Sequence, residues 1–194
     1  SIVKEHYEIV LNTLKEIDEN QLSLVNTLTD LSQQEKSIRD GLDVFELDLR
    51  NMKRTIEKYH LPGLPKEYLE LFFATSSRIE QLSQLMNRVK LDMTEITGLN
   101  QTIEDDVEKL DIMTEEIVDH AQLTEFMIQH ANRYRLDHPE IDTAIQQALE
   151  QFNHFYRYEE SLAIIEKALN QVDPGSAQRV RANYESEKNN NLFF

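Results

Sequence analysis

Steps of four and three from Val3 to Tyr59 land on Val3, Tyr7, Val10, Leu14, Ile17, Gln21, Leu24, Leu28, Leu31, Glu35, Ile38, Leu42, Phe45, Leu49, Met52, Ile56 and Tyr59. Every position is apolar except Gln21 and Glu35. An unbroken period of about 3.5 residues lines these side chains along one seam of a single helix. At ~1.5 Å per residue that helix is roughly 85 Å long. A rod of that length outruns any globular core, so other helices have to cover its seam.

The rest of the composition agrees with an all-α fold. The 194 residues include 4 Gly, 4 Pro and no Trp, and 40% are hydrophobic, which suits a helical bundle better than a β-rich core. No run of ~20 apolar residues offers a bilayer span. No signal peptide opens the chain, and the heptads begin at once, so the sequence is expected to be a piece of something longer. A net charge of −16 argues against nucleic acid as a partner and against adsorption to anionic lipid. Without cysteine there are no disulfides, no thiolate catalysis and no thiolate zinc site, which fits a cytosolic setting.

Along the rod, Gly41 is either a tolerated helix glycine or a soft joint between bundle units. Gln21 and Glu35 either fix register against a partner or mark where the seam meets solvent. Leu61-Pro62-Gly63-Leu64-Pro65 ends the rod: Pro62-Gly63 suits a type II turn and Pro65 the first turn of a new helix. So short a link turns the next helix back antiparallel, which sets residues near Leu49 against residues near Ile79. The second seam reads Phe72, Thr75, Ile79, Leu82, Met86, Val89, Met93, Ile96, Asn100, Ile103, Val107, Leu110, Thr114 and Ile117. It predicts one helix from near Pro65 to well past residue 110, weakest at Gly98 and Asn100. Two such helices leave much of each seam wet, so a third element or a partner chain is required, as in a spectrin-type three-helix repeat. A homodimer through the uncovered seam is one way to supply it.

Residues 104–119 carry eight carboxylates against Lys109 alone, either a solvated face or a docking surface for a basic partner. Shorter helices follow. One is expected from about Asp119 to Tyr134, with Ala121, Thr124, Ile128 and Ala131 inward. Asp137-His138-Pro139-Glu140 opens the next, with Asp137 as cap, and Ile141, Ile145, Ala148, Phe152 and Phe155 form its apolar face. Tyr158, Leu162, Ile165, Leu169 and Val172 face inward from another, before Asp173-Pro174-Gly175 stops it. This pair has the loose pattern of one tetratricopeptide hairpin. A last helix from Ser176 to Tyr184 gives way to a polar tail ending in Leu192-Phe193-Phe194, either frayed or a short linear binding motif. The organisation expected is an elongated antiparallel hairpin over 1–117 with its turn at 60–65, a short-helix bundle over 118–188 and a tail over 189–194.

Little in the chain suggests catalysis. Glu57-x-x-His60 is half of a bundle di-iron motif, and no second Glu-x-x-His exists. Glu116 and His120 lie one turn apart with no third ligand fixed by spacing. P-loop, dinucleotide and nucleophile-elbow motifs are absent, so neither metal nor cofactor is expected and an enzyme is not indicated. One polar surface differs from the Glu/Lys faces elsewhere. Gln122, Glu125, Gln129 and Asn132 follow one another at helical spacing, with Arg133 and Arg135 beside them. Amides and guanidinium give directional hydrogen bonds with little charge to desolvate, a composition suited to peptide backbone as well as to plain solvent.

At these residues the chain resembles a known family. The run Leu61-Pro62-Gly63-Leu64-Pro65-Lys66-Glu67-Tyr68-Leu69-Glu70-Leu71-Phe72-Phe73, the run Ile128-Gln129-His130-Ala131-Asn132-Arg133-Tyr134-Arg135 and the Asp173-Pro174-Gly175 stop are similar to the C-terminal region of EzrA, the septation ring formation regulators of low-GC Gram-positive bacteria. The resemblance covers the whole sequence. It implies spectrin-like helical repeats on the cytoplasmic side of the membrane, at the division septum. It also implies a non-enzymatic protein that binds the tubulin-like division protein FtsZ and other division proteins, restraining ring assembly at wrong sites. The family's Gln-Asn-Arg patch, tied to mid-cell placement, falls on Gln129, Asn132 and Arg133, flanked by Ile128, His130, Ala131 and Tyr134. The family's N-terminal membrane anchor has no counterpart here, so membrane attachment is not expected from these residues.

Overall fold

The computed structural model describes residues 1–191, and the Leu192-Phe193-Phe194 motif lies outside them. Among the described residues the chain is all-α. Six helices follow in order: α1 (Ile2–Lys58), α2 (Lys66–Met86), α3 (Met93–Ala131), α4 (Pro139–Asn153), α5 (Tyr158–Val172) and α6 (Ser176–Asn191). A 3-10 turn at Asn132–Tyr134 closes α3.

The rod is one helix, and Gly41 does not interrupt it. The chain reverses after it as expected, but not through a type II turn, because His60 takes a positive φ of 50° and Gly63 does not. Pro65 stands at the N-cap position just before α2 rather than in its first turn. Leu49 and Ile79 are both buried and line one surface hollow between α1 and α2. The second limb departs from expectation. It stops at Met86 and restarts at Met93, so the seam drawn through Val89 fails and Val89 is fully exposed. The cause is capping at both ends of the gap. Asp92 Oδ1 accepts a bond from the Glu95 backbone N–H at 3.2 Å, which fixes the start of α3. Arg39 of α1 donates to the Met86 carbonyl at 2.7 Å, satisfying the end of α2. Glu35, half-buried on the rod seam, steadies Arg39 at 2.9 Å, so its seam position serves a helix end.

With the break, the missing cover is built in. α2 runs back along the C-terminal half of α1, and α3 turns again to complete a three-helix bundle around Phe45, Leu49, Met52, Tyr68, Leu82, Met86, Ile96, Ile103 and Leu110. Two polar seam residues are buried with partners. Thr75 Oγ1 donates to the Leu71 carbonyl, and Tyr68 OH lies 2.8 Å from Thr114 Oγ1, which itself donates to the Leu110 carbonyl. Asn100 is half-buried, with its Oδ1 unpaired. α2 is only 21 residues long against 57 in α1. The N-terminal half of α1 therefore has no neighbour among the described residues, and Val3, Tyr7, Val10, Leu14, Ile17, Leu24, Leu28 and Leu31 are exposed.

The expected helix start near Asp119 does not exist, because α3 passes through it unbroken. Its last turns carry Leu123, Met127 and Ala131 into a second core with Ile141, Ile145 and Ala148 of α4, Leu162, Ile165 and Leu169 of α5, and Val180 and Tyr184 of α6. α4 is capped by His138 without a side-chain bond, so Asp137 is not the cap, and Phe155 is exposed. α6 continues through the polar stretch after Tyr184 as far as Asn191.

The two cores meet where the α1–α2 turn touches the α4–α5 turn. Tyr158 OH donates to the Gly63 carbonyl at 2.5 Å, and burial pushes its pKa up to about 12. The Tyr156 ring lies so close to Gly63 that a Cβ there would stand 2.5 Å from it. Tyr156 itself adopts φ +56°, a left-handed conformation a tyrosine holds only when its surroundings enforce it. Gly63→Ala should therefore destabilise the protein by about 1–3 kcal/mol in denaturant unfolding, as overpacking does. In a Tyr156→Ala background the same change should be nearly neutral. An equal loss in both backgrounds would place the strain somewhere other than this contact.

Candidate functional site

The end of α3 sorts the sequence-predicted patch by helical phase. Ala131 is fully buried and Ile128 half-buried against the second core, so these two hold the helix down. Gln129, Asn132 and Arg133 are exposed together on the outer side. His130 and Tyr134 have a third role, because they reach the α5–α6 turn. Tyr134 OH donates to Asp173 Oδ2 at 2.8 Å, and Arg179 donates to the same oxygen at 3.1 Å. His130 Nε2 lies 3.2 Å from Ser176 Oγ, and its ring sits 5.8 Å from that of Tyr134. The Asp173 carbonyl accepts from the Ser176 N–H, and Gly175 at φ +82° allows the chain to turn this tightly.

Electrostatics follow from these contacts. The Tyr134 hydrogen bond and then Arg179 hold the Asp173 carboxyl below its ordinary value, while the same hydrogen bond pushes the Tyr134 phenol up. Burial, then the Arg133 charge, lowers the His130 pKa, so the imidazole is favoured neutral. Arg135 is committed elsewhere, paired with Asp142 of α4. Arg133 has no ion pair among the described residues, although Arg135, Arg179 and Arg181 nearby are each paired.

The amide stripe is not a free face along its whole length. Gln122 Oε1 accepts from Tyr184 OH of α6 at 3.0 Å, and the Phe126 and Tyr184 rings lie 5.8 Å apart. α6 thus forms the other wall of a surface trough, bringing Val180, Asn183, Ser186 and Glu187 opposite Gln129 and Arg133. Sequence reasoning placed Val180 and Asn183 on a last helix but ended that helix at Tyr184, so Ser186 and Glu187 were missed as part of this wall.

The other candidates disperse. Glu116 and His120 line a hollow of about 430 Å³ with Glu67, Glu159 and Glu160. Among the described residues no three His, Cys, Asp or Glu side chains converge as metal ligands. Of the acidic run, Asp106 pairs with Arg78 and Asp119 with Lys188, while Glu104, Asp105, Glu108, Asp111, Glu115 and Glu116 are exposed. No described helix is long and apolar enough to cross a membrane.

Two helical cores sharing one long helix, with an exposed polar patch at its end, define an all-α helical scaffold. Comparison with known proteins gives the family: residues 1–184 match the model described as septation ring formation regulator, EzrA, and the chain belongs to that family. It is 38% identical over 190 residues to the septation ring formation regulator EzrA of Enterococcus faecalis, covering 98% of this chain and 33% of the relative. The Lactococcus lactis subsp. lactis protein of that name is 36% identical over 188 residues, covering 97% and 33%. The Streptococcus sanguinis one is 35% identical over 193 residues, covering 100% and 34%. The chain therefore spans about a third of the length of these curated relatives. No solved structure matches it.

The Tyr134–Asp173 contact sets a pH window. Asp173 is lowered from 3.8, so its contribution is complete above that value and fades as pH falls through the lowered pKa. Tyr134 is raised from 10.0, so its contribution is complete below that value and fades as pH rises through the raised pKa. Asp173→Asn should lower the melting temperature at neutral pH by a few degrees, and the deficit should shrink in acid. Thermal melts of both proteins across pH test this; a deficit of constant size would mean the carboxylate charge is not used.

Proposed function

We propose that these repeats serve a septation regulator as a non-enzymatic binding scaffold at the division site, on the cytoplasmic side of the membrane. Gln129, Asn132 and Arg133 are the contact residues, and FtsZ or another division protein is the partner. The observation that supports this reading is the division of labour at the end of α3. The three exposed side chains make no contact that the fold needs, while Ile128, His130, Ala131 and Tyr134 hold the backbone that presents them. Surface changes of that kind usually alter stability by less than about 0.5 kcal/mol, whereas a binding hot spot loses ~1–2 kcal/mol or more per side chain. Asn132→Ala with Arg133→Ala should leave the melting point unchanged and abolish septal localisation of the full-length protein, with loss of FtsZ capture if FtsZ is the partner. A folded double mutant that localises normally removes the patch from the function; an unfolded one makes the residues structural.

A second contact rests on a separate observation, the uncovered half of α1. Eight apolar side chains on one seam from Val3 to Leu31 are exposed, and a second copy of the chain supplies a matching seam. Light scattering should show dimers whose fraction rises with concentration. Leu14→Glu with Leu24→Glu should give monomers without changing the melting of either core. A wild-type chain that stays monomeric at every concentration refutes self-association through this seam.

A further inference from the structure

We propose that the trough between α3 and α6 takes an extended peptide segment of a partner protein, one carrying a carboxylate about three residues from an apolar side chain. This deepens the patch reading above and rests on it. Two hollows of about 530 and 540 Å³ adjoin along the two helices and share Phe126, Gln129 and Glu187, so they form one continuous trough. Phe126 and Val180 give part of it an apolar floor. Gln129 and Asn183 stand on opposite walls, exposed and without side-chain hydrogen bonds among the described residues. An amide offers donor and acceptor together, which is what an extended backbone with alternating N–H and C=O requires.

Charge selects among the occupants. Arg133 lies at one end of the trough as a guanidinium without a counter-ion among the described residues, in a chain with 36 acidic and 20 basic residues. A planar guanidinium binds a carboxylate through two parallel hydrogen bonds. Glu125 and Glu187 line the trough with Lys58 and with Lys188, which is itself paired to Asp119. Away from Arg133 the charge is therefore near balance, and a single acid on an otherwise neutral peptide fits better than a polyanion such as nucleic acid or an anionic membrane. The spacing follows from helix geometry. From Phe126 to Arg133 is seven residues, a rise of ~10 Å, which about three extended residues span.

The test uses fluorescence anisotropy with the labelled hexapeptide Gly-Ser-Leu-Ser-Ser-Asp, with Asp→Lys and Leu→Ser versions as controls. Saturable binding to the wild-type chain is expected, weakened about tenfold or more in each control and in Arg133→Ala. Ser186→Trp should weaken it similarly by filling the trough from α6, at an exposed position outside the patch. Asn183→Trp blocks the same wall independently if the first variant melts early. No saturable binding, equal binding of the lysine peptide, or unaltered binding by both folded tryptophan variants overturns the proposal. Septal localisation of full-length protein separates it from the patch reading. If Asn132→Ala with Arg133→Ala abolishes localisation while Ser186→Trp preserves it, the patch stands and the trough falls.

Discussion

A single helix, α3, has to satisfy two hydrophobic cores at once, and the remaining geometry depends on it. Its first turns carry Ile96, Ile103 and Leu110 into the core with α1 and α2. Its last turns carry Leu123, Met127 and Ala131 into the core with α4, α5 and α6. The helix runs from one core into the other without a break, so no loop separates them along it. The second tie, Tyr158 OH on the Gly63 carbonyl, sits beside the passage of α3 from one core to the next. Phe152 and Tyr158 of the C-terminal bundle pack edge to face at 4.8 Å and belong to the first core. The two bundles are therefore joined through covalent continuity and through a shared apolar contact.

Length decides what is left over. A 21-residue α2 rises ~31 Å, against ~85 Å for the 57 residues of α1, so well over half of the rod outlives its cover. Burial of a leucine is worth about 1.5–3 kcal/mol, and an exposed seam forgoes that for each residue. The first half of α1 is helical along its own length, yet it supplies no buried residue to either core until Ile38. Such a segment gains its stability from whatever packs on it, as most helices do.

The sequence showed the rod, the Pro62-Gly63 reversal and the inward faces of α4 and α5 because each depends on local spacing or on one breaker residue. It hid the gap at 87–92 because no glycine or proline stands there. The deciding signals were a cap, Asp92 with Glu95 three residues on, and an arginine 47 positions away that satisfies the Met86 carbonyl. The period of the apolar pattern ran across the gap and concealed it, with Val89 as the only position to break the pattern in space. The patch was legible as a motif but not as a division of labour. Helical spacing already set Ile128 and Ala131 inward, but the locking roles of His130 and Tyr134 depend on Ser176 and Asp173, which are 39 or more residues further along the chain.

That distant dependence bears on how the exposed triplet can work. Asn132 and Arg133 belong to a tight turn, and a turn of three residues has few backbone bonds of its own to fix its side chains. Its orientation is set from outside, by Ala131 in the core on one side and by Tyr134 on the Asp173 carboxylate on the other. Arg179 closes the same carboxylate from α6, the helix that also walls the trough. The turn that presents the patch and the helix that faces it are thus held by one anion, so the two surfaces are positioned together. Recognition that uses both pays little ordering entropy on binding, because the fold has already fixed their relative placement.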